Sequence, residues 1–171
     1  MGLTRDWWDA ESRNGTGPLH YMNATRVRFI RKCLTEIHGT GSASPFEHLQ
    51  GLSILDVGCG GGLAAEALAR LGANVTAIDP GKENIEVARK HSSEDPMTSG
   101  IRYLNTTVEE ISASDERFDA VCALEVIGNI AMFDIFASVV VIIISHLRLF
   151  LRYITFLMNN NSFHSPYLVI V

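Results

Sequence analysis

The residues best suited to chemistry are the glycines of the segment Asp56–Gly62 and the acidic residue Asp79. Gly58 and Gly60 allow a tight turn and let a ligand approach the backbone without a Cβ in the way. A carboxylate at Asp79 can accept hydrogen bonds from both hydroxyl groups of a ribose. Together these residues predict a site for a nucleoside.

Alternating strands and helices must position these residues. Short apolar runs predict strands at Ser53–Val57, Asn74–Ile78, Ile101–Leu104 and Phe118–Ala123, and helical spacing predicts helices at Thr25–Ile37, Leu63–Leu71 and Lys82–His91. This alternation indicates an α/β fold with a parallel sheet. Ligands bind beyond the carboxyl ends of the strands in such a sheet, and the glycine loop and Asp79 both fall at strand ends.

The spacing of the glycines distinguishes two kinds of cofactor. The dinucleotide fingerprint G-x-G-x-x-G, counted from Gly58, needs a glycine at position 63, which is Leu63 in this chain. The chain has D-x-G-x-G-x-G instead, which is similar to the first motif of class I methyltransferases. The spacing therefore favours S-adenosylmethionine over NAD and predicts a Rossmann-like class I methyltransferase fold.

The composition changes abruptly between Ile127 and Gly128. Residues 1–127 hold 13 of the 14 glycines, whereas residues 128–171 are mainly apolar and carry only Asp134, Arg148 and Arg152 as charges. We therefore expect an N-terminal helical segment and cofactor-binding core at 1–127, followed by a divergent tail at 128–171. A net charge of −5 argues against a nucleic-acid partner, which would need clustered Lys and Arg. The first residues also lack the apolar segment of a secretory signal.

Further segments of the chain resemble the ubiquinone-biosynthesis O-methyltransferases. The matching segments, over about three quarters of the chain, are Trp7–Asp9, Leu19–Asn23, Arg26, Ile54–Pro80, Thr107–Glu110, Phe118–Asp119 and Leu124–Ile127. The resemblance implies O-methylation, dependent on S-adenosylmethionine, of polyprenylated catechol intermediates, so that the substrate is a small polyprenyl phenol. It also implies a mitochondrial location on the matrix side of the inner membrane, with peripheral membrane contact and other ubiquinone-pathway proteins as partners.

The resemblance assigns roles to individual residues. It implies that Arg26, Gly58, Asp79 and Leu124 bind S-adenosylmethionine, and Gly60 joins them from the glycine loop. The guanidinium of Arg26 can hold the methionine carboxylate in a two-pronged contact.

The aromatic residues near the N-terminus leave two interpretations open. Trp7 and Trp8 either pack as ordinary core aromatics or cover the cofactor. His20 either packs or lines the site.

The metal-binding motif of the family that the chain resembles is present only in part. That motif is Glu-x-x-Glu-His, and its ligands hold Mg²⁺, which prefers oxygen donors. Glu125 matches the first glutamate, but Gly128 and Asn129 occupy the positions of the second glutamate and the histidine. Glu125 is therefore the one side chain of the motif that remains as a metal ligand.

This departure leaves two alternatives to the ubiquinone-pathway enzyme. One is a module that binds S-adenosylmethionine or docks with pathway proteins but does not catalyse methylation. The other is a methyltransferase for a different small hydroxylated acceptor.

The tail also allows more than one interpretation. One interpretation is a membrane anchor. Ile135–Leu147 is an uncharged apolar run, but it is shorter than the roughly 20 residues of a transmembrane helix. Ser138–Ile144 could instead pair beside the fourth strand and replace the missing C-terminal part of the sheet. Without such a partner, Phe118–Ala123 would be an unpaired apolar edge that invites aggregation.

Overall fold

The structure, a computed structural model, describes residues 7–12, 16–38, 49–124 and 169–170. Its elements in chain order are α1 (Gly17–His38), β1 (Ser53–Val57), α2 (Leu63–Arg70), β2 (Asn74–Ile78), α3 (Lys82–Ser92), β3 (Arg102–Leu104), α4 (Val108–Ser112), β4 (Ala120–Ala123) and β5 (Val169–Ile170). Strands and helices alternate as predicted.

The strands form one sheet in the order β3-β2-β1-β4-β5. β1 lies at the centre and pairs in parallel with β2 on one side and with β4 on the other. β3 extends the parallel sheet beyond β2. Because the chain builds outward through β2 and β3 and then crosses to the other side of β1, a crevice opens at the carboxyl ends of β1 and β4. Such a switch point is where open α/β sheets bind ligands.

The fourth strand has a partner on its outer side. β5, which comes from the C-terminal tail, pairs antiparallel with β4, with Val121 opposite Ile170 and Cys122 opposite Val169. The fourth strand is therefore not the unpaired edge that it would be without a partner, because this pairing satisfies backbone groups of a strand whose residues are all buried. The segments Ser138–Ile144 and Ile135–Leu147 lie outside the described residues.

Side chains alternate across the sheet and build a buried cluster on each face. Ile54 packs with residues of the first three helices, and its neighbour Leu55 belongs to the cluster on the opposite face. The first cluster includes Ile30, Leu34, Leu68, Val75 and Ile85, and the second includes Val57, Ile78, Ile111, Phe118 and Val121. Within the part of the chain that the structure describes, no helix is long and apolar enough to cross a membrane.

The first helix begins eight residues before its predicted start, at Gly17 instead of Thr25. Pro18 in its first turn supports this start, because a proline there removes an N–H that has no partner within the helix. The fourth strand begins at Ala120, two residues later than predicted. Just before the strand, Asp119 Oδ2 accepts hydrogen bonds from Ser53 N at 2.9 Å and from Ser53 Oγ at 2.7 Å, which ties this segment to the start of β1.

The short helix α4 was not predicted, because five residues are too few to show an apolar period. A capping box begins this helix. Thr107 Oγ1 accepts from Glu110 N at 3.4 Å, and Glu110 Oε2 accepts from Thr107 N at 3.1 Å. The spacing of a threonine and a glutamate three residues apart is a sequence signal that could have located it.

Replacing Thr107 with alanine should lower the free energy of unfolding by about 1 kcal/mol, because the N-cap hydroxyl that accepts from Glu110 N is lost. Urea unfolding followed by circular dichroism measures the change. Thr107→Ser retains the hydroxyl and should leave the stability nearly unchanged. An equal loss in both variants would show that the cap does not stabilise the helix.

Candidate functional site

The glycine loop follows β1 directly and is tied to the end of β2. Gly58 N and Cys59 N donate to the same oxygen, Ile78 O, at 2.8 and 3.0 Å. Gly58 and Gly60 have φ angles of 70° and 55°, a region that favours glycine over residues with a Cβ. These contacts hold the loop in one shape, with both glycines lining a cavity.

Asp79, one residue beyond β2, joins the loop to the following helix. Its Oδ2 accepts from Gly60 N at 3.0 Å, and its Oδ1 accepts from Gly81 N at 2.7 Å and from Asn84 Nδ2 at 3.1 Å. The residue is buried. The carboxylate that the sequence marks as a ribose acceptor therefore also shapes the loop beside it.

The candidate cofactor residues meet at one cavity of about 310 Å³. Arg26 reaches it from α1, Gly58 and Gly60 from the loop, Asp79 from the end of β2, and Leu124 from the end of β4. Parallel pairing of β1 with β2 and β4 places three carboxyl ends side by side, which brings these distant positions together.

The candidate metal position Glu125 lies outside the described residues, as do Gly128 and Asn129. Within the described ranges, no group of three or more His, Cys, Asp or Glu side chains could hold a metal ion.

Helix α1 is fastened to the start of α2 beside the cavity. Asn23 Nδ2 donates to Leu63 O at 2.9 Å. Leu19, Asn23 and Arg26 all line the cavity from α1, and Arg26 Nη2 lies 3.8 Å from Met22 Sδ. The sequence alone assigned no role to Leu19 or Asn23. Leu19 and Asn23 are four residues apart, and Asn23 and Arg26 are three apart. This spacing places all three on one helix face, which is the signal that could have found them.

The indole of Trp7 lies directly on the glycine loop. A Cβ built on Gly60 or on Gly61 would overlap a carbon of Trp7, because it would come closer than real Cβ atoms do. Trp7 Nε1 donates to Asn84 Oδ1 at 3.2 Å, and Trp7 lines the cavity. Of the two interpretations for this residue, the contacts favour covering of the cofactor site.

Trp8 and His20 pack behind Trp7. Trp8 stacks on His91, with ring centroids 3.5 Å apart and planes 1° from parallel, and its Nε1 donates to Gly61 O at 3.1 Å. His20 Nε2 lies 2.8 Å from Trp7 O, and its ring meets the Trp8 ring edge-on. Neither side chain is among the described residues that line the cavity, so their contacts favour the packing interpretation.

His91, on which Trp8 stacks, is held in place by the buried side chain of Glu66. His91 Nδ1 lies 2.8 Å from Oε1 of Glu66, which is fully buried and also accepts from Arg70 Nη2 at 2.9 Å. Contacts of this kind hold the imidazole in one orientation, so Trp8 packs on a fixed surface.

Asp56 is the site residue that sequence reasoning left without a role. It is 2% exposed and lines the cavity, and its Oδ2 has no hydrogen-bond partner among the described residues. Burial and then the negative charge of Asp79 raise the pKa of Asp56 to about 7, against a smaller opposing effect of a backbone hydrogen bond from Ala65. A buried acceptor of this kind is suited to a cationic group.

Comparison with known proteins identifies the family. Residues 55–142, just over half of the chain, match the family model of the methyltransferase domain. The chain belongs to the methyltransferase domain family.

Two curated relatives of this methyltransferase domain are both ubiquinone biosynthesis O-methyltransferases. The chain is 47% identical over 127 residues to the mitochondrial ubiquinone biosynthesis O-methyltransferase of Arabidopsis thaliana. The aligned residues make up 73% of this chain and 38% of that protein. It is 42% identical over 136 residues to the ubiquinone biosynthesis O-methyltransferase of Azorhizobium caulinodans, covering 78% of the chain and 51% of that protein. The chain therefore spans about half or less of the length of these relatives.

A solved structure supports the fold of the methyltransferase domain. Magnesium protoporphyrin IX methyltransferase from Synechocystis, with bound S-adenosylhomocysteine, superposes with a TM-score of 0.61 at 17% identity, over 84% of this chain and 60% of that one. The predicted α/β class I methyltransferase fold is thus confirmed.

Proposed function

We propose that this methyltransferase domain binds S-adenosylmethionine and serves the O-methylation of polyprenylated catechol intermediates in ubiquinone biosynthesis. The observation that carries the proposal is the convergence of Arg26, the glycine loop, Asp79 and Leu124 on one cavity at the carboxyl ends of parallel strands. The two curated relatives, both ubiquinone biosynthesis O-methyltransferases, support the choice of pathway.

The groups around the cavity fit this cofactor. The carboxylate of Asp79 is an acceptor for ribose hydroxyls, and the guanidinium of Arg26 matches the methionine carboxylate. Oδ2 of Asp56, buried without a hydrogen-bond partner among the described residues, is an acceptor for the methionine ammonium. Gly58 lacks a Cβ and lines the cavity, so a ligand can approach its backbone, whereas the indole of Trp7 occupies the space beside Gly60 in this structure.

The main contribution of the protein to this reaction is to align the methyl donor with the phenolic oxygen that accepts the methyl group. When bound, S-adenosylmethionine supplies a methyl group on a sulfonium, which is already reactive towards a phenolic oxygen. Arg26 would hold the methionine carboxylate and Asp79 the ribose, and Leu124 lines the cavity beyond the end of β4. Fixing donor and acceptor in this way removes much of the entropic cost of the reaction.

The residues present do not fit the magnesium site that the family resemblance implies. Of the motif Glu-x-x-Glu-His, the chain keeps Glu125, and Gly128 and Asn129 offer no carboxylate or imidazole. One carboxylate is a weak donor set for Mg²⁺, which is usually held with further oxygen ligands. This departure favours a second candidate function, a module that binds S-adenosylmethionine or docks with pathway proteins without catalysis.

For the cellular location, we propose peripheral attachment on the matrix side of the mitochondrial inner membrane. The Arabidopsis relative is named as mitochondrial, and a polyprenyl substrate is itself held in a bilayer. Fractionation of the tagged protein, with a carbonate wash to separate peripheral from integral proteins, tests this placement.

Calorimetry with S-adenosylmethionine, followed by a methyl-transfer assay on a demethylubiquinol analogue, separates the candidates. Binding with transfer supports the enzyme, and binding without transfer to any acceptor supports the module. Transfer to a simple catechol alone supports an enzyme for another hydroxylated acceptor. Absence of binding contradicts the proposal.

Arg26→Ala should weaken S-adenosylmethionine binding by roughly 10- to 100-fold, because a charge-assisted hydrogen bond contributes about 1.5–3 kcal/mol. Calorimetry of the variant measures the loss. The matched control is Arg28→Ala, which removes an exposed arginine from the same helix and should bind as the wild type does. If both variants bound S-adenosylmethionine as tightly as the wild type, Arg26 would not be a ligand of the cofactor.

A further inference from the structure

The carboxylate of Asp79 is crowded with donors. It accepts from Gly60 N, Gly81 N and Asn84 Nδ2, and two carboxylate oxygens offer about four lone-pair positions. The two hydroxyls of a ribose need two of these positions. Two incoming donors and three present ones exceed four, so one of the present donors must leave when a ribose binds.

Asn84 is the donor that can leave. Gly60 N and Gly81 N belong to the backbone, and the flanking hydrogen bonds to Ile78 O and the first turn of α3 fix their positions. The amide of Asn84 sits at the end of a side chain with rotatable bonds. Its contact, at 3.1 Å, is also the longest of the three.

The same amide holds Trp7. Asn84 Oδ1 accepts from Trp7 Nε1 at 3.2 Å while Asn84 Nδ2 donates to Asp79. The indole held in this way lies on Gly60 and Gly61, and Gly60 is one of the residues that a cofactor must approach. Asp79, Asn84 and Trp7 thus form a continuous chain from the ribose acceptor to the aromatic cover.

We propose that Asn84 and Trp7 form a gate that the ribose of the cofactor operates. The ribose hydroxyls take the acceptor position that Asn84 holds on Asp79, and the departure of Asn84 releases the indole of Trp7 from Gly60 and Gly61. Trp8 stays in place, because its stacking on His91 and its hydrogen bond to Gly61 O do not involve Asn84. This inference rests on the proposed binding of S-adenosylmethionine.

The sign of the effect of Asn84→Ala on affinity tests the gate. If Asn84 competes with ribose, its removal should tighten S-adenosylhomocysteine binding by roughly 3- to 10-fold, the size of one hydrogen bond. A residue that contacts the cofactor directly would give weaker binding in the alanine variant. The control is Asn74→Ala, at an exposed position of β2, which should leave the affinity unchanged.

Fluorescence provides the second readout, because the chain has two tryptophans. Trp8→Phe leaves Trp7 as the reporter, and S-adenosylhomocysteine should change its emission. Trp7→Phe leaves Trp8, whose emission should stay constant. In Trp8→Phe/Asn84→Ala, Trp7 has already lost its hydrogen-bond partner, so the ligand should produce a much smaller change.

The outcomes separate the gate from the proposed function. Failure of the wild type to bind S-adenosylhomocysteine would overturn the cofactor site and the gate together. Binding by the wild type with equal or weaker binding by Asn84→Ala would overturn the gate and leave the cofactor site standing. A Trp7 emission that does not respond to the ligand would also overturn the gate.

Discussion

Asp79→Asn should bind S-adenosylhomocysteine about 100-fold more weakly than the wild type, and calorimetry measures the change. The substitution removes the negative charge and one of the two acceptor oxygens that a ribose needs. The loss of charge-assisted hydrogen bonds amounts to about 3 kcal/mol, which corresponds to that change in affinity. The variant keeps the shape of the side chain, so circular dichroism should still show a folded domain.

The control for this variant is Asp115→Asn, which neutralises an exposed aspartate between α4 and β4. It should bind S-adenosylhomocysteine as the wild type does. If Asp79→Asn also bound normally, the ribose would not lie at the end of β2, and the cavity would need another interpretation. A second consequence concerns Asp56, since removing the charge of Asp79 should lower the pKa of Asp56 towards its usual value.

The wild-type domain should lose roughly 2–3 kcal/mol of stability between pH 5 and pH 8 through Asp56 alone. In the folded protein the pKa of Asp56 is raised to about 7, whereas in the unfolded chain this carboxyl ionises near its ordinary value of 3.8. Between these values the folded state holds the extra proton, so the unfolded state is favoured progressively as the pH rises. Urea unfolding at both pH values measures the loss.

Asp56→Asn should remove this part of the pH dependence and make the domain more stable than the wild type at pH 8. Asparagine is uncharged at every pH in this range and has nearly the shape of aspartate. Asp115→Asn should keep the wild-type slope, because Asp115 is exposed. The same slope in wild type and Asp56→Asn would show that Asp56 is not the group that titrates.

Cofactor binding should release protons through the same group. A cationic ligand beside Asp56 favours the carboxylate, so at pH 6 the wild type should release a large fraction of a proton on binding S-adenosylmethionine. Calorimetry in two buffers with different ionisation enthalpies measures that release. Asp56→Asn should show little or none.

The sequence by itself determined the local elements around the site. The bounds of β1 and β2 agree with prediction, and α2 and α3 agree within one residue at each end, because apolar runs and turn glycines mark these elements locally. The glycine spacing and Asp79 likewise pointed to one cofactor class. These features depend on neighbours in the chain, and such neighbours are visible in a sequence.

Tertiary structure alone decided which distant residues meet. The place of Trp7 on Gly60 depends on packing of the N-terminal segment against a loop more than 50 residues away. The pKa of Asp56 depends on burial and on the charge of Asp79, and the pairing of β5 with β4 depends on the path of the C-terminal tail. Each of these is a long-range contact, whose energy arises only when the sheet brings its partners together.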